Sequence, residues 1–578
     1  MPYPTISRPF GRELLITLLR YLCLILIFIL FSALAFSQTT NVVATSNVES
    51  DEHYSGLTAV GDKLYFLVHF STDPNAGVAL WKTDVNRTDA TLVKFFRRIT
   101  SLVSYKGALY FSANDDESGE ELWRTNGTPE TTTLVIDIYP GIEGSNIRGF
   151  SISNNILYFT AVDGLHGREL WKSNGTPGGT SLVKDILRVV GSSNPTLMTN
   201  VNGTLFFSAN DGINGYELWR TDGTSGGTRM VKDIQPGLKS SSSPAGLTNK
   251  NGMLVFTALE SATGRELWKS DGTEGGTTLL KDIRPGNQSS NASQFTVVDS
   301  TVYFAADDGV HGLELWKSNG TTTGTNLFID LTPGPGSQSL YTIPHLSDLT
   351  SVNHRLYFLA VTPEPPPYTA SQNLWVSNGT IQGTRRLTVF SEVSFSFINA
   401  HITQFKGAAY FVAGTESLDI FKTTGTVAST VPVVRDIAER FSNFVRLTKV
   451  GNYLYYIGHE KLNRTDGIDG TIVISGIVAT PERDAVVESA MTISDTNKEV
   501  GVSLFPSPFI SDFSLQVTGP SDKPYSVKIV DMTGAPIESS LLTHGTTYTL
   551  GSAWRPGYYL MMISSGDKVI TKRVFKSE

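Results

Sequence analysis

The chain has 578 residues, too many for one ordinary hydrophobic core, so its length predicts either several domains or an array of repeats. Hydrophobic residues make up 40% of the chain and charged residues only 17%, a balance typical of a folded protein. The net charge of -8 disfavours nucleic acid and anionic membrane surfaces as the main partners, because both are themselves negatively charged.

The N-terminal segment has the three parts of a secretory signal. Three arginines precede an apolar run over 22–36, and small residues then lead into a polar stretch. The run is short for a membrane helix, which needs about 20 residues. We therefore predict a signal peptide over 1–37 and no stable membrane span after its removal; the alternative is a retained membrane anchor. The single cysteine, Cys23, lies in this segment, so we expect no disulfide in the mature chain.

Self-similarity is the strongest signal in the rest of the sequence. The octet 217–224 reads Glu-Leu-Trp-Arg-Thr-Asp-Gly-Thr, and its tryptophan recurs about every 48 residues. Close copies of the octet lie at 121–128, 169–176, 266–273 and 314–321. More divergent units before and after these carry Trp81, Trp375, Phe421 and Asn463 at the tryptophan position. The repeats therefore number nine.

Each unit divides into four short strands joined by turn-forming residues. In the fourth unit the predicted strands are 197–201, 204–209, 217–220 and 229–234. The dipeptides Asn202-Gly203 and Asp222-Gly223 between them tolerate the positive φ of tight hairpin turns. Propeller blades have this pattern, with four antiparallel strands in roughly every 40 to 50 residues.

The sequence therefore predicts an all-β fold, with a large β-propeller of about eight or nine four-stranded blades over 38–478. Nine blades are more than the roughly four to eight that are typical of propellers. We accordingly expect the degenerate last unit to be incomplete or to merge with a strand at 40–44.

We interpret the repeated tryptophans as structural wedges, because a blade buries both faces only by stacking on its neighbours. These residues are Trp123, Trp171, Trp219, Trp268 and Trp316. The alternative is a row of exposed tryptophans that binds sugars. The glutamate two residues before each tryptophan lies on the same strand face, and we expect it to accept backbone N–H groups of the adjacent Asp-Gly loop.

The sequence contains no HExxH, GxSxG, phosphate-loop or cysteine-based metal motif, so we predict no catalytic residue and no cofactor. His166 and His311 occupy equivalent loops, but their units are not neighbours, so we expect no shared metal. Oxygen-rich loops can hold calcium, and the loops between the second and third strands carry candidate ligands for a structural ion. These candidates are Asp115, Asp163, Asp211 and Asp308. The alternative is that Asp-Gly is simply favourable turn chemistry.

A polar, acidic stretch over 479–500 is interpreted as a linker, and the residues after it form a second domain over 501–578. Alternating apolar and polar residues there predict a small β-sandwich. The predicted strands are 513–517, 526–531, 547–550, 558–564 and 569–575. Trp554 precedes the turn pair Pro556-Gly557 and is expected to pack at the end of the sandwich.

Two resemblances add to this reading. The repeats over roughly 54–478 resemble the ELWxxDGT repeat of exported proteins of the Bacteroidota, a likeness that implies no catalytic residue. The C-terminal domain resembles the C-terminal sorting domain of type IX secretion substrates. The matching landmarks are 506–508, 530–534, 556–559 and 572–576, with Ser507 where the family has asparagine. This resemblance implies that the type IX secretion machinery recognises 501–578 and exports the protein to the medium or the cell surface.

Two classes of function fit these observations. The first is a secreted or cell-surface binding or adhesion module whose propeller recognises a polysaccharide or a surface protein. The alternative is an extracellular glycan hydrolase or lyase, which would need carboxylates converging from different blades. The carboxylates in the sequence instead recur at equivalent positions, as scaffold residues do, so we favour the binding module and predict no enzyme.

Overall fold

The computed structural model describes residues 53–69, 77–188, 191–332, 346–362, 371–388, 401–414, 417–439, 445–459, 461–467, 472–473, 501–505, 513–518, 525–531, 535–543, 547–550, 554–555, 557–565 and 568–576. The predicted signal peptide, the segment 40–44, the predicted linker and the landmark 506–508 lie outside these residues.

The repeats form consecutive four-stranded antiparallel sheets, and each sheet keeps its four strands in sequence order. This arrangement confirms the all-β propeller. We number the nine sheets of the repeat region as blades 1 to 9. Blades 1 to 3 contain β1 (His53–Val60), β2 (Lys63–His69), β3 (Val78–Asp84), β4 (Thr91–Phe96); β5 (Arg98–Tyr105), β6 (Ala108–Asn114), β7 (Glu120–Thr125), β8 (Thr133–Ile136); and β9 (Arg148–Ser153), β10 (Ile156–Val162), β11 (Arg168–Ser173), β12 (Thr180–Lys184).

The remaining blades repeat the pattern with small changes in strand length. Blades 4 to 6 contain β13 (Thr196–Val201), β14 (Thr204–Asn210), β15 (Tyr216–Thr221), β16 (Arg229–Lys232); β17 (Ala245–Lys250), β18 (Met253–Glu260), β19 (Gly264–Ser270), β20 (Thr278–Lys281); and β21 (Ser293–Val298), β22 (Thr301–Asp307), β23 (Leu313–Ser318), β24 (Thr325–Ile329). Blades 7 to 9 contain β25 (Leu346–Val352), β26 (Arg355–Thr362), β27 (Ser371–Ser377), β28 (Arg385–Arg386); β29 (Thr403–Phe405), β30 (Ala408–Ala413), β31 (Ser417–Thr423), β32 (Val431–Glu439); and β33 (Thr448–Val450), β34 (Tyr453–Gly458), β35 (Lys461–Thr465), β36 (Ile472–Val473).

Helical structure in the described residues is limited to three short 3-10 turns, Pro129–Thr131, Pro177–Gly179 and Val427–Ser429. A search of the same residues for a helix long and apolar enough to cross a membrane finds none.

First strands contact each other from blade 1 to blade 7, as β1 contacts β5 and β5 contacts β9, and again between blades 8 and 9, which places the first strands innermost. The ring closes where β33 of blade 9 contacts β1. At this seam the guanidinium Nη1 of Arg464 donates to the carbonyl oxygen of Val85 at 2.7 Å. The expectation of an incomplete last blade is wrong, since blade 9 has four strands of its own.

The second strand is buried on both faces, because it lies in the middle of a blade that is covered on both sides. In β14 the five central residues are all buried, and the same pattern recurs in β2, β10 and β22. Strand composition explains this position, since these strands are runs of aromatic, aliphatic and small residues rather than alternating sequences.

Each repeat tryptophan lies between its own blade and the preceding one. Trp219 of blade 4 is 6% exposed and packs with Tyr158, Leu170 and Val183 of blade 3. Trp123, Trp171, Trp268 and Trp316 are also at most 9% exposed, in equivalent clusters. The indole nitrogens of seven repeat tryptophans have no hydrogen-bond partner among the described residues. The ring's apolar area is therefore what stabilises this position.

In most blades a β-bulge places an apolar side chain on the face opposite the tryptophan. Leu218 pairs with Lys232 whereas Trp219 pairs with Met230, so Val231 has no residue opposite it. Val231 is 7% exposed and packs in the cluster that joins blades 4 and 5. The same register shift recurs in blades 1 to 6 and in blade 8. Each blade with this bulge therefore presents apolar side chains to both of its neighbours.

The C-terminal domain consists of two sheets around a separate core. Its strands are β37 (Gly501–Phe505), β38 (Phe513–Thr518), β39 (Tyr525–Asp531), β40 (Pro536–Leu542), β41 (Thr547–Leu550), β42 (Gly557–Ser565) and β43 (Lys568–Lys576). The sheet orders are β37-β38-β41 and β40-β39-β42-β43. Leu515 and Leu550 of the first sheet pack with Val527, Ile529 and Met561 of the second.

Trp554 is 7% exposed within this core, 4.5 Å from the ring of Tyr559 between centroids. Its indole Nε1 donates to Oε2 of Glu538 at 3.1 Å. Trp554 thus packs inside the C-terminal domain and has a hydrogen-bond partner, unlike the repeat tryptophans.

The wedge interpretation predicts the outcome of two substitutions at Trp219. Trp219→Ala leaves a large cavity between blades 3 and 4, so we expect it to lower the free energy of unfolding by about 3–5 kcal/mol in chemical denaturation. Trp219→Phe is expected to cost clearly less, because the indole N–H makes no bond in the chain and blade 8 already has Phe421 at this position.

A Trp219→Ala protein that unfolds like the parent but loses ligand binding would contradict the wedge and favour a row of binding tryptophans. Equal losses of stability for the alanine and phenylalanine variants would also contradict it.

Candidate functional site

Five buried glutamates, one in each of blades 2 to 6, lie two residues before the tryptophans. They are Glu121, Glu169, Glu217, Glu266 and Glu314, each at most 1% exposed. The carboxylate of Glu217 accepts hydrogen bonds from the backbone N–H of Ile234 at 3.1 Å and of Ser242 at 2.8 Å, and from the Ser242 hydroxyl at 2.6 Å. Each glutamate thus holds, through hydrogen bonds, the chain segment that connects its blade to the next one.

These partners correct the sequence-based expectation. The glutamate does accept backbone N–H groups, but not from the adjacent Asp-Gly loop. The glutamate lies near the start of the third strand. The antiparallel fourth strand ends beside it, so the N–H groups close to the carboxylate belong to the segment that leads to the next blade. The other four glutamates bind the same segment, as Glu266 does through the N–H of Ile283 at 2.9 Å and of Ser290 at 2.8 Å.

Burial dominates the ionisation of these carboxyl groups. Removal from water raises the pKa of Glu121 and of Glu266 to about 7, against the opposing effect of their hydrogen bonds. Burial also raises the pKa of Glu169, Glu217 and Glu314. A raised carboxyl pKa often marks a catalytic acid. Here the five side chains are enclosed between strands and connections, so a substrate cannot touch them.

The raised pKa values predict a stability that depends on pH. Between the ordinary glutamate pKa of 4.5 and a folded-state pKa of about 7, the folded protein binds a proton that the unfolded chain does not. The free energy of unfolding is therefore expected to fall as pH rises from about 5 to 7.5, by up to about 1.4 kcal/mol per pH unit for each such glutamate.

Urea unfolding of the mature protein at several pH values measures this slope. Glu266→Gln cannot titrate, so it is expected to make the slope shallower, and Glu260→Gln, on the partly exposed end of β18, serves as the control. A stability that stays constant or rises across this pH range would contradict the prediction.

The loop aspartates use their carboxylates to close their own turns. In Asp211, Oδ1 accepts the N–H groups of Ile213 at 2.9 Å and Asn214 at 2.7 Å. Asp115, Asp163 and Asp308 each accept the N–H groups two and three residues ahead in the same way. Within the described ranges no three or more His, Cys, Asp or Glu side chains are grouped to hold a metal. Calcium binding by these four aspartates stays a prediction.

The two equivalent histidines each complete the loop that contains them. Nδ1 of His166 lies 2.7 Å from Oδ2 of Asp163, and Nδ1 of His311 lies 2.7 Å from Oδ2 of Asp308. The hydrogen bond to the aspartate raises the pKa of each imidazole. The pairs belong to blades 3 and 6, so the structure does not bring the two histidines together.

Alternating strand directions give the propeller two different faces. The loops between second and third strands and the connections between blades lie on one face, which we call the loop face. The turns between first and second strands and between third and fourth strands lie on the other, the hairpin face.

Large aliphatic side chains project from the loop face in the loops of blades 3, 4 and 6 and on the connections that leave blades 2 and 4. They are Ile142 (77% exposed), Leu165 (73%), Ile213 (62%), Leu238 (80%) and Val310 (63%). The backbone N–H of Lys239 donates to the carbonyl oxygen of Ile213 at 2.7 Å, so the connection that carries Leu238 is tied to the loop of Ile213. Exposed apolar side chains that lie together mark interaction surfaces, and this hydrogen bond brings the segments of Ile213 and Leu238 together.

None of these five residues was predicted from the sequence. Leu165, Ile213 and Val310 each follow an Asp-Gly pair whose aspartate closes the turn, a place where turn chemistry favours small polar residues. A large apolar side chain at that position in three units is the signal that could have identified them.

Comparison with known families identifies the second domain. The family model described as the secretion system C-terminal sorting domain matches residues 503–577. The chain is a type IX secreted β-propeller protein. Its location is therefore the cell surface or the extracellular space, as the sequence predicted. The domain also implies an interaction with the type IX secretion machinery.

No curated protein matches the chain. Among solved structures, it is similar to a prolyl endopeptidase (10% identity, TM-score 0.35), covering 64% of this chain and 55% of that one. It is also similar to a puromycin hydrolase (12%, 0.33), covering 65% of this chain and 61% of that one. A third is the β-propeller domain of the Trilobed protease from Pyrococcus furiosus (11%, 0.30), covering 59% of this chain and all of that one. The chain thus spans 55% and 61% of the length of the first two proteins.

Proposed function

We propose that the propeller is a binding or adhesion module that the type IX pathway delivers to the cell surface or the medium, where its loop face contacts a surface protein or a polysaccharide. The observation that carries the proposal is the set of exposed aliphatic residues on the loop face, from the connection after blade 2 to the loop of blade 6. Burying such residues against a partner is favourable by roughly 25 cal/mol per Å².

The way the loops are built supports a fixed binding surface. The carboxylate of Asp211 and its equivalents holds each loop, and the buried glutamates hold the connections between blades. A surface that is ordered before binding loses little conformational entropy when a partner docks. The aliphatic tips are therefore presented at positions that the scaffold sets.

An extracellular glycan hydrolase or lyase is the alternative function. Such an enzyme needs accessible carboxylates in a common site. The glutamates with raised pKa are at most 1% exposed, and the loop aspartates already accept two backbone hydrogen bonds each. These contacts favour a scaffold role for both groups and so favour the binding module.

The sorting role of the C-terminal domain predicts the fate of two altered proteins. Deleting 504–578 is expected to leave folded propeller in the periplasm, because the secretion machinery no longer recognises it. Fusing 501–578 to an unrelated periplasmic protein is expected to send that protein outside the cell. Fractionation and immunoblotting measure both outcomes, with the full-length chain as control, and normal secretion of the truncated protein would refute the sorting role.

The loop-face proposal predicts that removing its aliphatic tips abolishes binding without unfolding the protein. We expect the triple variant Leu165→Ser, Ile213→Ser and Val310→Ser to keep the parent's melting temperature, since each side chain is more than 60% exposed, and to lose most binding to cells that lack the protein.

The matched control is the double variant Ile381→Ser and Val427→Ser, whose side chains are 59% and 63% exposed on hairpin-face turns. We expect it to bind normally. Repeating the assay with a chelator and then with added calcium tests whether the loop aspartates hold an ion. Unchanged binding by the triple variant would overturn the loop-face proposal.

A further inference from the structure

A cleft opens on the hairpin face between blades 6 and 7, opposite the loop face. Its volume is about 470 Å³, within the range of small-molecule sites of roughly 300–1,000 Å³. The turns of both blades form its walls, and the buried rings and side chains of Tyr303 and Leu356 form its floor. Polar groups dominate the walls, in contrast to the aliphatic tips of the loop face.

The regular pattern of the repeats changes at this junction. Elsewhere an asparagine in the first turn of one blade donates to a carbonyl of the next blade's turn, as Asn251 does to Asp299 at 3.0 Å and Asn353 does to Gly407 at 2.6 Å. In blade 6 this asparagine is replaced by Asp299. Its Oδ1 lies 2.5 Å from Nδ1 of His354, which occupies a turn position that is glycine in blades 4 and 5.

This exchange places a charged pair at the mouth of the cleft. The side chain of Asp299 is 59% exposed and that of His354 is 84% exposed, so both reach solvent while they contact each other. One carboxylate oxygen of Asp299 and Nε2 of His354 point away from the shared hydrogen bond. The pair therefore keeps one acceptor and one ring nitrogen for a ligand.

Two asparagines that line the cleft, in the turns between the third and fourth strands of blades 6 and 7, have fixed orientations. Oδ1 of Asn319 accepts from the N–H and the hydroxyl of Thr321, at 2.9 and 2.7 Å. Oδ1 of Asn378 accepts from the same two groups of Thr380, at 3.1 and 2.8 Å. These bonds use the carbonyl end of each amide, so the NH₂ end is the donor that each side chain can offer to a ligand.

Acceptors, amide donors and an imidazole arranged around a cleft of this size complement the adjacent hydroxyls of a sugar ring. Each hydroxyl both donates and accepts, so it pairs with a carboxylate and an amide at once. Lys317, whose Nζ lies 3.4 Å from the Gly379 carbonyl oxygen, adds a cation at the edge of the cleft.

We infer that the cleft between blades 6 and 7 binds a sugar unit of a polysaccharide through Asp299, His354, Asn319 and Asn378. This site is separate from the loop face, so the proposal for the cleft does not depend on the loop-face proposal. A protein with both sites can hold a carbohydrate on one face and another partner on the other.

The test uses the full mature protein on an array of neutral and uronic-acid oligosaccharides, followed by calorimetry with the best-bound oligosaccharide. The double variant Asp299→Asn and His354→Gly restores the residues that other blades have in these turns, so the fold is preserved. We expect its affinity to fall at least about tenfold, with the melting temperature unchanged. Asn202→Asp places a carboxylate in the equivalent turn of blade 4, away from the cleft, and is expected to bind like the parent.

The possible results separate the two proposals. Oligosaccharide binding that the double variant weakens, and the loop-face triple variant does not, supports the cleft. Binding that the double variant leaves unchanged overturns the cleft, and so does a parent protein that binds no oligosaccharide on the array. Neither of the last two results bears on the adhesion of the loop-face variants, which is measured on cells.

Discussion

The stacking of one blade on the next is the constraint on which the rest of the propeller depends. A single four-stranded sheet cannot bury both faces, yet the second strands of these blades are apolar on both. The tryptophan of the third strand covers the preceding blade, while the bulged residue of the fourth strand covers the next. Each repeat therefore supplies the side chains of the interfaces with its two neighbours as well as the four strands of its own blade.

The buried glutamate solves the problem that stacking creates at the loop face. A chain that leaves one blade must turn toward the next, and its N–H groups lose their strand partners in the turn. The carboxylate of Glu217 accepts two of these N–H groups and the Ser242 hydroxyl. Burial makes ionisation unfavourable, so the same residue that orders the connection also makes stability depend on pH.

Ordered connections leave other positions free to vary. Repeated residues such as Trp219 and Glu217 are committed to contacts inside the ring. The side chains at the tips of the loops and turns lie at the surface, outside the clusters between blades, so sequence changes there alter the surface more than the ring. The aliphatic tips of the loop face and the Asp299–His354 pair both occupy these positions.

The sequence predicted the parts of the structure that periodicity encodes. In blade 4 the predicted and observed strands agree within two residues at each end, because Asn-Gly and Asp-Gly mark the turns. In the C-terminal domain, β40 (Pro536–Leu542) was missed. It is an edge strand in which Ile537 is 40% and Leu541 69% exposed, and only Leu542 is buried, so it lacks the alternating pattern of a half-buried strand. The partners of the glutamates were also missed, because they lie 17 to 25 residues away in the chain.

Closure of the ring follows the same logic as the contacts between neighbouring blades. Blade 1 and blade 9 each contain four consecutive strands, so no strand is exchanged and the seam depends on side-chain packing. Blade 1 presents Trp81, only 2% exposed, to Val450, Tyr455 and Leu462 of blade 9. The seam therefore keeps the full tryptophan wedge.

The interfaces just before the seam have smaller wedges. Phe421 takes the tryptophan position between blades 7 and 8, and Asn463 takes it between blades 8 and 9. The amide of Asn463 donates to the carbonyl oxygens of Gly458 and Lys461 in its own hairpin, at 3.0 and 2.8 Å. The side chain therefore makes its hydrogen bonds within blade 9 and does not act as an apolar wedge against blade 8. The wedge is thus lost at the junction of blades 8 and 9, where the chain itself connects the two blades and keeps them adjacent. The junction without a covalent connection keeps Trp81, the residue with the largest apolar area, beside the hydrogen bond from Arg464 to Val85.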